Sequence, residues 1–303
     1  MTDLTDFQRE ISTRLPEMDI RFQESLAKHT SFRIGGEAEA MAFPKTTEEL
    51  SQLLKLSKIL GRKPAILGAG TNVLAPDVGI PGLVICLKDC LDGMERLDGN
   101  RIRLMAGVTM SRGAVFAASQ NLGGLEFAHG IPGTMGGGVY MNAGAYGGEL
   151  CQVVEQVEVV DLSGNVRTLS NEDMGFSYRH SVLEDTGEIV TAVTLQLEEK
   201  DGEAVRARMK ELIGKRSASQ PLDLPSAGSA FKRPKGGYAA ALIDRSGLKG
   251  FRVGNAAISQ KHAGFAVNLG GATAEDVKAL LRAVSDRVYE DSGIRLEPEV
   301  RIW

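Results

Sequence analysis

The spacing of hydrophobic residues predicts two well-defined amphipathic helices. From Leu50 onward, leucines recur every three or four positions after a Thr-Thr-Glu-Glu start at residues 46–49, which is typical of a helix cap. Gly61 is a suitable end for this helix. The second helix is predicted to begin at Thr273, where Asp276 can complete a capping box, and the helical period continues for about four turns.

Strands are predicted where apolar residues form short runs or alternate with polar ones. These runs lie at residues 64–67, 84–87, 101–104, 153–161 and 188–197, with a final extended segment over 294–303 that Pro298 interrupts. Shorter helices are predicted at residues 111–120 and 205–213. Because strands and helices do not alternate as βαβ units, the pattern predicts an α+β fold rather than a doubly wound parallel sheet. Changes in composition near residues 88 and 200 predict three domains, over 1–88, 89–200 and 201–303.

Composition and charge exclude several classes of function. Of the 303 residues, 43% are hydrophobic and 24% are charged, which is typical of a soluble globular protein. The formal net charge is −4 and no cluster of Lys or Arg is present, so we expect no nucleic-acid partner. No segment approaches the ~20 apolar residues of a membrane helix. Residues 1–16 lack the apolar run of a signal peptide, so we expect no membrane insertion and a cytoplasmic location.

Cysteine and histidine residues offer no metal site. The cysteines Cys86, Cys90 and Cys151 are predicted to be free thiols, because Cys86 and Cys90 flank an apolar, strand-like run. The four histidines lie far apart in the sequence and show no ligand spacing. We therefore expect no bound metal.

The first glycine-rich segment, Gly68-Ala69-Gly70-Thr71-Asn72, directly follows a predicted strand. Such a pattern could be a simple turn or a Rossmann phosphate loop. The Rossmann fingerprint requires a helix that opens at the glycines, whereas Pro76 and Pro81 follow here within a dozen residues. We therefore expect a loop without a helix.

The second glycine-rich segment contains 10 glycines within residues 123–148. A flexible linker of this density would be rich in serine, whereas this segment carries Ile, Pro, Met, Val and Tyr. An ordered loop of this kind, which we again expect to lack a helix, can bring its backbone close to a ligand and offer N–H groups to a phosphate. From residue chemistry alone, a dinucleotide or phosphate site and a purely structural loop both remain open, and the presence of two such segments favours the site.

Four motifs occur in a fixed order: Thr30-Ser31-Phe32-Arg33-Ile34-Gly35-Gly36, the Gly-Ala-Gly-Thr-Asn loop, Gly130-Ile131-Pro132-Gly133-Thr134 and Asn142-Ala143-Gly144-Ala145-Tyr146-Gly147. Together they resemble the FAD-binding elements of the UDP-N-acetylenolpyruvoylglucosamine reductase (UDP-N-acetylmuramate dehydrogenase) family. The resemblance extends from about residue 24 to residue 303. It implies a vanillyl-alcohol-oxidase-like fold with FAD-binding subdomains over 1–88 and 89–200, followed by an α+β substrate-binding domain over 201–303.

The resemblance also implies the residues that bind FAD, with the pyrophosphate against the glycine loops. They are Arg33, Gly68, Ala69, Gly70, Thr71, Asn72, Gly130, Ile131, Pro132, Gly133, Thr134, Gly136, Gly137, Asn142, Gly144 and Ala145. The implied activity is the reduction of UDP-N-acetylglucosamine enolpyruvate to UDP-N-acetylmuramate, with NADPH, in peptidoglycan precursor synthesis. Only a short interval separates Ser181 from the strand at 188–197, which leaves no room for the extra subdomain of one family branch. The chain therefore resembles the compact branch, and we expect a monomer.

In this reaction, hydride passes from flavin N5 to the terminal vinyl carbon, and negative charge builds up on the neighbouring carbon and its carboxylate. The site then needs a cation, a hydrogen-bonding partner for the charge and a proton donor. Within Tyr178-Arg179-His180-Ser181, the resemblance implies Arg179 as the cation, whose planar guanidinium can bind a carboxylate through two hydrogen bonds. Within Gly228-Ser229-Ala230-Phe231, it implies Ser229 as the proton donor.

Leu296-Glu297-Pro298-Glu299 resembles the motif of the third catalytic residue. Residues alone do not choose between Glu297 and Glu299, because two positions in an extended segment share a face, whereas the family pattern implies Glu299. The implied substrate-binding residues are Tyr178, Lys232 and Arg233. Many family members carry Asn at position 233, so the diphosphate contact of Arg233 is open. His262 could line the pocket or serve only in packing.

Three alternatives remain open from the sequence. A flavin oxidase of the same fold could attach its flavin covalently, and His129 beside the glycine segment is a candidate for that bond. A sugar-nucleotide binder without catalysis would have no need of Arg179, Ser229 and Glu299 together. The choice between NADPH and NADH is open as well, because no 2′-phosphate site is recognisable in the sequence.

Overall fold

The computed structural model describes residues 4–303. Its helices are α1 (Asp6–Arg14), α2 (Thr47–Ile59), α3 (Met110–Ser119), α4 (Met135–Tyr140), α5 (Leu183–Thr186), α6 (Gly202–Ser219), α7 (Ala239–Arg245) and α8 (Ala274–Ser292), with 3-10 turns at Leu26–Lys28, Glu126–Gly130 and Leu150–Gln152. Its strands are β1 (Ile20–Ser25), β2 (Glu37–Ala42), β3 (Ala65–Leu67), β4 (Val73–Leu74), β5 (Ile80–Cys86), β6 (Met94–Arg96), β7 (Arg101–Met105), β8 (Leu122–Gly123), β9 (Gly144–Ala145), β10 (Gly148–Glu149), β11 (Val154–Val160), β12 (Val166–Ser170), β13 (Ile189–Gln196), β14 (Glu198–Glu199), β15 (Ser226–Ser229), β16 (Arg252–Val253), β17 (Ala256–Ile258), β18 (Phe265–Asn268) and β19 (Arg301–Ile302).

The two strongly periodic helices form where the sequence predicts them. Thr46 caps α2 by accepting a hydrogen bond from the backbone N–H of Glu49, and the helix ends at Ile59, two residues before Gly61, which has a φ of 64°. Thr273 and Asp276 form the predicted capping box at the start of α8. Both predictions are confirmed.

The chain divides into two compact units. The first comprises residues up to 22, 39–69 and 82–215, and the second comprises 23–38, 70–81 and 216–303. Each unit has its own hydrophobic core, which is expected of structures that are each held together by burial of apolar surface. The three-domain division at residues 88 and 200 stays a prediction, because compact units and functional subdomains need not coincide.

The first unit contains a five-stranded antiparallel sheet in the order β12-β11-β13-β7-β6. A further sheet has the order β1-β2-β5-β3, in which β3 and β5 run parallel. The leucines of α2 that follow the helical period, among them Leu50, Leu53 and Leu54, are buried in the same core as Ile85 and Ile102. Burial of each such side chain contributes about 1.5–3 kcal/mol.

The second unit contains an antiparallel sheet in the order β15-β18-β17-β16. On helix α8, Val277, Leu280 and Val284 lie on one face, as the period of 3.6 residues requires, and are buried in the core of the second unit. A short parallel pair joins β19 to β4, with Arg301 opposite Val73. The mixed arrangement of helices and mainly antiparallel strands confirms the predicted α+β class.

The prediction that the second glycine segment lacks a helix is wrong. Thr134 begins α4 and caps it, because its hydroxyl accepts a hydrogen bond from the backbone N–H of Gly137. Gly136 and Gly138 allow the helix to pack closely, since an added Cβ would lie 2.9 Å from the Cβ of Ala106 and 2.7 Å from the sulfur of Met110, respectively. Tertiary packing therefore outweighs the poor helix propensity of glycine.

The predicted final strand is much shorter than expected. Within the segment 294–303, only Arg301–Ile302 forms a regular strand. Pro298 has no backbone N–H to donate to a sheet and makes only an isolated bridge with Phe231. The segment that carries Glu297 and Glu299 is thus irregular and is held by individual bonds.

No helix within residues 4–303 is long and apolar enough to cross a membrane. Over the same residues, no group of three or more His, Cys, Asp or Glu side chains could hold a metal ion. Cys86, Cys90 and Cys151 are free thiols, as predicted. Burial raises the pKa of the Cys90 thiol to about 11, so this thiol stays protonated at neutral pH.

Glu188 and Arg167 form a bidentate ion pair in the first unit. The Nε and Nη2 atoms of Arg167 donate to the two carboxylate oxygens of Glu188 at 2.6 and 2.7 Å, and the Glu188 side chain is 7% exposed. These bonds hold the pKa of the Glu188 carboxyl below its ordinary value. Because the folded pKa is the lower one, the pair stabilises the protein above the unfolded pKa, and this contribution is lost as the pH falls through the folded pKa.

We expect Glu188→Gln to lower the free energy of unfolding by about 1–3 kcal/mol at neutral pH, because a neutral amide cannot accept two charge-assisted hydrogen bonds. The difference from wild type should shrink as the pH falls below the ordinary carboxyl range, where the wild type protonates Glu188 as well. Urea unfolding at a series of pH values measures both effects. Glu211→Gln, at an exposed carboxylate paired with Arg208 and Lys215, is the control and should change stability little. A difference for Glu188→Gln that does not vary with pH would contradict the assignment.

Candidate active site

Gly70 occupies a position in the first glycine loop that no other residue fits. Its φ is 59°, and an added Cβ would lie 2.1 Å from the carbonyl oxygen of His29. The N–H and the hydroxyl of Ser31 both donate to the carbonyl of Gly70, at 3.0 and 3.3 Å. The single hydrogen of the Ser31 hydroxyl is shared between this carbonyl and that of Ser226, which lies closer, at 2.6 Å. In the second unit, the bonds of Ser31 therefore connect Gly70 of the glycine loop with the Thr-Ser-Phe-Arg motif and with β15, the strand that carries Ser229.

Gly68, at the start of the same loop, meets the second glycine segment within the first unit. A Cβ added to Gly68 would lie 2.6 Å from the hydroxyl oxygen of Thr134, which begins α4. Thr134 is buried, and the N–H of Met135 beside it donates to the carbonyl of Val108. The two glycine-rich segments thus come into contact here, and the absence of a side chain on Gly68 makes the contact possible.

Ser229 ends β15 at a β-bulge. Ser226 pairs with Val267 and Ser229 pairs with Phe265. Residues 226–229 of β15 therefore lie opposite residues 265–267 of β18, so β15 has one extra residue. Gly228 supplies the left-handed conformation that the bulge needs, with a φ of 76°. The bulge leaves the Ser229 side chain exposed at the end of the strand.

Glu299 is bound to the residue that follows Ser229. Its N–H donates to the carbonyl of Ala230 at 2.9 Å, and the side-chain amide of Asn72 donates to the carbonyl of Glu299 at 3.2 Å. The Glu299 side chain is half-buried. Asn72, Ser229 and Glu299, three residues distant in the sequence, are therefore neighbours in the second unit.

Glu297 and Lys232 lie beside this cluster in more exposed positions. The Glu297 side chain is 75% exposed and its carboxylate lies 3.5 Å from the Lys232 ammonium. The N–H of Lys232 donates to the Glu297 carbonyl at 2.9 Å. The guanidinium of Arg233 stacks over the ring of Tyr238 at 4.4 Å from its centroid, an arrangement typical of a cation–π contact.

Arg179 and Tyr178 occupy a tight turn in the first unit, whereas Ser229 and Glu299 belong to the second. The turn is closed by two hydrogen bonds between the backbones of Ser177 and His180, at 3.1 and 3.2 Å. Nη2 of Arg179 donates to the carbonyl of Gly144 at 3.3 Å, and its guanidinium lies 5.0 Å from the centre of the Tyr178 ring. The turn thus places the guanidinium of Arg179 against Gly144 of the second glycine segment.

Three of the predicted site residues have a left-handed backbone although none is glycine. The φ values are 56° at Arg33, 41° at Asn142 and 56° at Arg179. This conformation costs about 1–2 kcal/mol for a residue with a side chain, except that Asn tolerates it more readily. Such strain is often found at ligand-binding positions, so the observation favours a functional role for these loops.

The first glycine loop fits the pyrophosphate of a dinucleotide. Within residues 4–303, the backbone N–H groups of Ala69 and Gly70 donate to no protein acceptor, and N–H groups of this kind attract an anion. By contrast, the N–H of Gly136 donates to the carbonyl of Ala106, and that of Gly137 donates to the hydroxyl of Thr134. The first loop therefore offers donors, whereas Gly136 and Gly137 serve the start of α4.

The two histidines considered from the sequence make local contacts. Nδ1 of His129 lies 3.1 Å from the hydroxyl of Ser111. Nδ1 of His262 accepts a hydrogen bond from the N–H of Gly264 at 3.0 Å, and burial lowers the pKa of this imidazole. The carbonyl of Gly264 in turn accepts from the N–H of Ala230 at 2.8 Å. His262 therefore supports the turn that holds the backbone next to Ser229.

Two supporting residues were missed by sequence reasoning. Ser31 belongs to the Thr30–Gly36 motif, and its hydroxyl contacts the carbonyls of Gly70 and Ser226. Asn268 is buried, and its amide donates to the carbonyl of Phe32 at 2.9 Å, which anchors the segment that leads to Arg33. No periodicity marks such residues, because their partners are backbone groups distant in the sequence.

Two family models match the chain. Residues 38–170 match the FAD binding domain, and residues 220–303 match the UDP-N-acetylenolpyruvoylglucosamine reductase, C-terminal domain. The UDP-N-acetylenolpyruvoylglucosamine reductase of Caldanaerobacter subterraneus subsp. tengcongensis is 43% identical over 299 residues, which are 99% of this chain and 97% of that protein.

Solved structures agree with these matches. The crystal structure of UDP-N-acetylenolpyruvylglucosamine reductase from Thermus caldophilus has a TM-score of 0.80 and 38% identity, and the match covers 95% of this chain and 99% of that one. A glucooligosaccharide oxidase from Acremonium strictum matches 98% of this chain and 61% of its own at 14% identity and a TM-score of 0.50, which shows the fold alone. The predicted vanillyl-alcohol-oxidase-like FAD-binding fold with a C-terminal α+β domain is confirmed.

We expect Gly70→Ala to abolish tight FAD binding and to lower the melting temperature, because the new methyl group would collide with the His29 carbonyl. Gly61→Ala is the matched control, since Gly61 has a φ of 64° but no atom within 4 Å of an added Cβ. It should cost only the left-handed backbone energy of about 1–2 kcal/mol and keep its flavin. The ratio of flavin to protein absorbance measures retention. Equal flavin content in the two variants would show that the close approach at Gly70 is unimportant.

Proposed function

Because the chain belongs to the UDP-N-acetylenolpyruvoylglucosamine reductase family of FAD-dependent oxidoreductases, we propose that it reduces UDP-N-acetylglucosamine enolpyruvate to UDP-N-acetylmuramate with NADPH. The product is a precursor of peptidoglycan. NADPH as the reductant and a monomeric state are parts of this proposal that rest on the resemblance, and the cytoplasmic location expected from the sequence is a part of it as well.

The reaction adds a hydride and a proton across a carbon–carbon double bond. FAD held at the glycine loops would supply the hydride for the terminal vinyl carbon, and oxidation of NADPH to NADP⁺ would supply the two electrons. The neighbouring carbon then carries negative charge, shared with the carboxylate, until it takes up a proton. The chain's own residues must bind that carboxylate, stabilise the charge and deliver the proton.

We assign the carboxylate contact to Arg179. A guanidinium suits a carboxylate because its planar donors match the two oxygens. The assignment is supported by the turn that fixes Arg179 with a φ of 56° and by the hydrogen bond that holds its guanidinium at the carbonyl of Gly144. Tyr178, stacked on the same guanidinium, would contact the substrate beside it.

We assign the proton to the Ser229 hydroxyl, which would give it to the charged carbon and regain one from solvent. A serine hydroxyl is a weak acid, but the carbanion-like centre is basic enough to take its proton when the geometry is right. The exposed position of Ser229 at the end of a bulged strand supports this role.

The observation that carries the proposal is the hydrogen bond from the Glu299 N–H to the Ala230 carbonyl, next to Ser229. It fixes the backbone of Glu299 to the residue that follows the proposed proton donor, from a part of the chain about seventy residues away, and the Glu299 side chain is half-buried there. We therefore assign the stabilisation of the developing charge to Glu299 rather than to the exposed Glu297. Lys232 and Arg233 are proposed to bind the diphosphate, where the cationic Arg233 replaces the Asn of many family members.

The proposed function is tested by two half-reactions followed under anaerobic conditions. The purified protein should be yellow, NADPH should bleach it, and the enolpyruvyl sugar nucleotide should restore the colour. Release of FAD on denaturation would exclude a covalent bond to His129. Bleaching without recovery by the sugar nucleotide would reject the function, and recovery by oxygen with a sugar substrate would favour an oxidase.

Ser229→Ala should leave bleaching by NADPH unchanged and slow the recovery of colour by about a hundredfold to ten-thousandfold, the usual range for loss of a general acid. Ser226→Ala, on the same strand, keeps its backbone bonds and should recover at the wild-type rate. Normal turnover of Ser229→Ala would remove Ser229 from the mechanism.

Glu299→Gln and Glu297→Gln form a second matched pair that separates the two carboxylates left open by the sequence. We expect Glu299→Gln to slow only the recovery of colour, because an amide N–H is a weaker hydrogen-bond donor to the developing charge than a carboxyl O–H. Glu297→Gln should change this rate little, because its side chain is largely exposed. A larger defect in Glu297→Gln would exchange the two assignments.

A further inference from the structure

Asn142 is buried and uses its side chain within the protein. The side chain is 1% exposed, and the amide nitrogen donates to the carbonyl of Ser177 at 3.0 Å and to the carboxylate of Glu149 at 3.3 Å. The amide oxygen accepts a hydrogen bond from the N–H of Cys151 at 3.0 Å. Because an amide nitrogen has two hydrogens, both of its donors are occupied.

Ser177 is the first residue of the turn that carries Tyr178 and Arg179. The bond from Asn142 therefore fixes one end of that turn to the glycine segment. At the tip of the turn, Arg179 donates to the carbonyl of Gly144. Gly144 pairs with Glu149 in the β9–β10 hairpin, and Glu149 accepts from Asn142.

These contacts connect five residues in a closed ring, namely Asn142, Ser177, Arg179, Gly144 and Glu149. An asparagine suits the position for two reasons. Its backbone has a φ of 41°, which Asn tolerates better than most residues, and its amide can donate two bonds and accept one. An aspartate of the same shape would donate neither bond and would set a negative charge against the Ser177 carbonyl and Glu149.

We propose that Asn142 and Glu149 are positioning residues that hold the Arg179 guanidinium for the substrate carboxylate, and that the Asn142 side chain does not contact the flavin. The inference rests on the proposed role of Arg179. It assigns Glu149 a function and gives Asn142 a role different from the cofactor contact that the motif implies.

The first test compares Asn142→Asp with the wild type in the two half-reactions. FAD content and the rate of bleaching by NADPH should be unchanged. The KM for the enolpyruvyl sugar nucleotide should rise and the recovery of colour should slow, each by about tenfold, within the usual range for residues coupled through a shared network. Loss of FAD affinity with a normal recovery rate would overturn the proposal and return Asn142 to cofactor binding.

A double-mutant cycle separates positioning from a general loss of stability. In an Arg179→Ala background, Asn142→Asp should cause no further defect, because the group that it positions is already absent. Independent, multiplicative defects would overturn the proposal. Asn171→Ala is the matched control, since Asn171 donates to the carbonyls of Cys151 and Val154 but not to the Arg179 turn. It should lower the melting temperature and leave both half-reactions intact.

Glu149 and the turn itself supply readouts that remain useful if Asn142→Asp folds poorly. Glu149→Ala should reproduce the KM and recovery defects, whereas Glu149→Gln, which keeps an acceptor for the Asn142 amide, should restore most of the rate. Amide hydrogen exchange of His180, whose N–H closes the turn onto Ser177, should accelerate in Glu149→Ala even without substrate. Unchanged exchange and kinetics in Glu149→Ala would overturn the proposal. A wild-type protein that the sugar nucleotide cannot reoxidise would reject the proposed function instead, before any variant is compared.

Discussion

Three asparagine side chains hold the irregular backbone that carries the candidate site. Asn72 donates to the carbonyl of Glu299, Asn142 to that of Ser177 and Asn268 to that of Phe32. Segments outside helices and sheets have no regular partners for their carbonyl groups, and a buried carbonyl without a partner costs about 1–3 kcal/mol. A side-chain amide removes that cost and fixes the segment at the same time. The backbones beside Arg33, Arg179 and Glu299 are ordered in this way.

Glycine serves two different purposes in the chain. At Gly70 the lack of a side chain lets the loop approach the His29 carbonyl and leaves N–H groups for a ligand. At Gly136 it lets a helix approach Ala106. The high glycine content of residues 123–148 therefore reflects close packing of protein against protein as well as ligand binding. Glycine density alone does not distinguish these causes.

The regular elements were predictable because their information is local. Thr273, Asp276 and the apolar period of α8 lie within a few turns of one another, so the sequence contains the whole signal. Helix α4 was not predictable, because it has only six residues, three of them glycine, and depends on a Thr134 cap and on packing against distant strands. The helix propensity of the residues contains no information about these contacts with distant strands.

The residues of the candidate site were likewise predictable only in part. The residue types and their motifs point to Arg179, Ser229 and Glu299, but a two-residue period treats Glu297 and Glu299 alike. The structure distinguishes them by exposure, because the Glu297 side chain is 75% exposed whereas that of Glu299 is half-buried. The left-handed turn at Arg179 likewise has no local signature, because the sequence offers no glycine there.

The division of the chain into units has a consequence for its synthesis on the ribosome. The first unit is complete once residue 215 has emerged, whereas the second gathers residues 23–38 and 70–81 with a segment that extends to residue 303. Because domains generally fold as units while the chain is made, the early segments of the second unit must wait for the last part of translation. During that interval Phe32 and Leu74, which belong to the core of the second unit, lack the apolar partners that residues 216–303 supply.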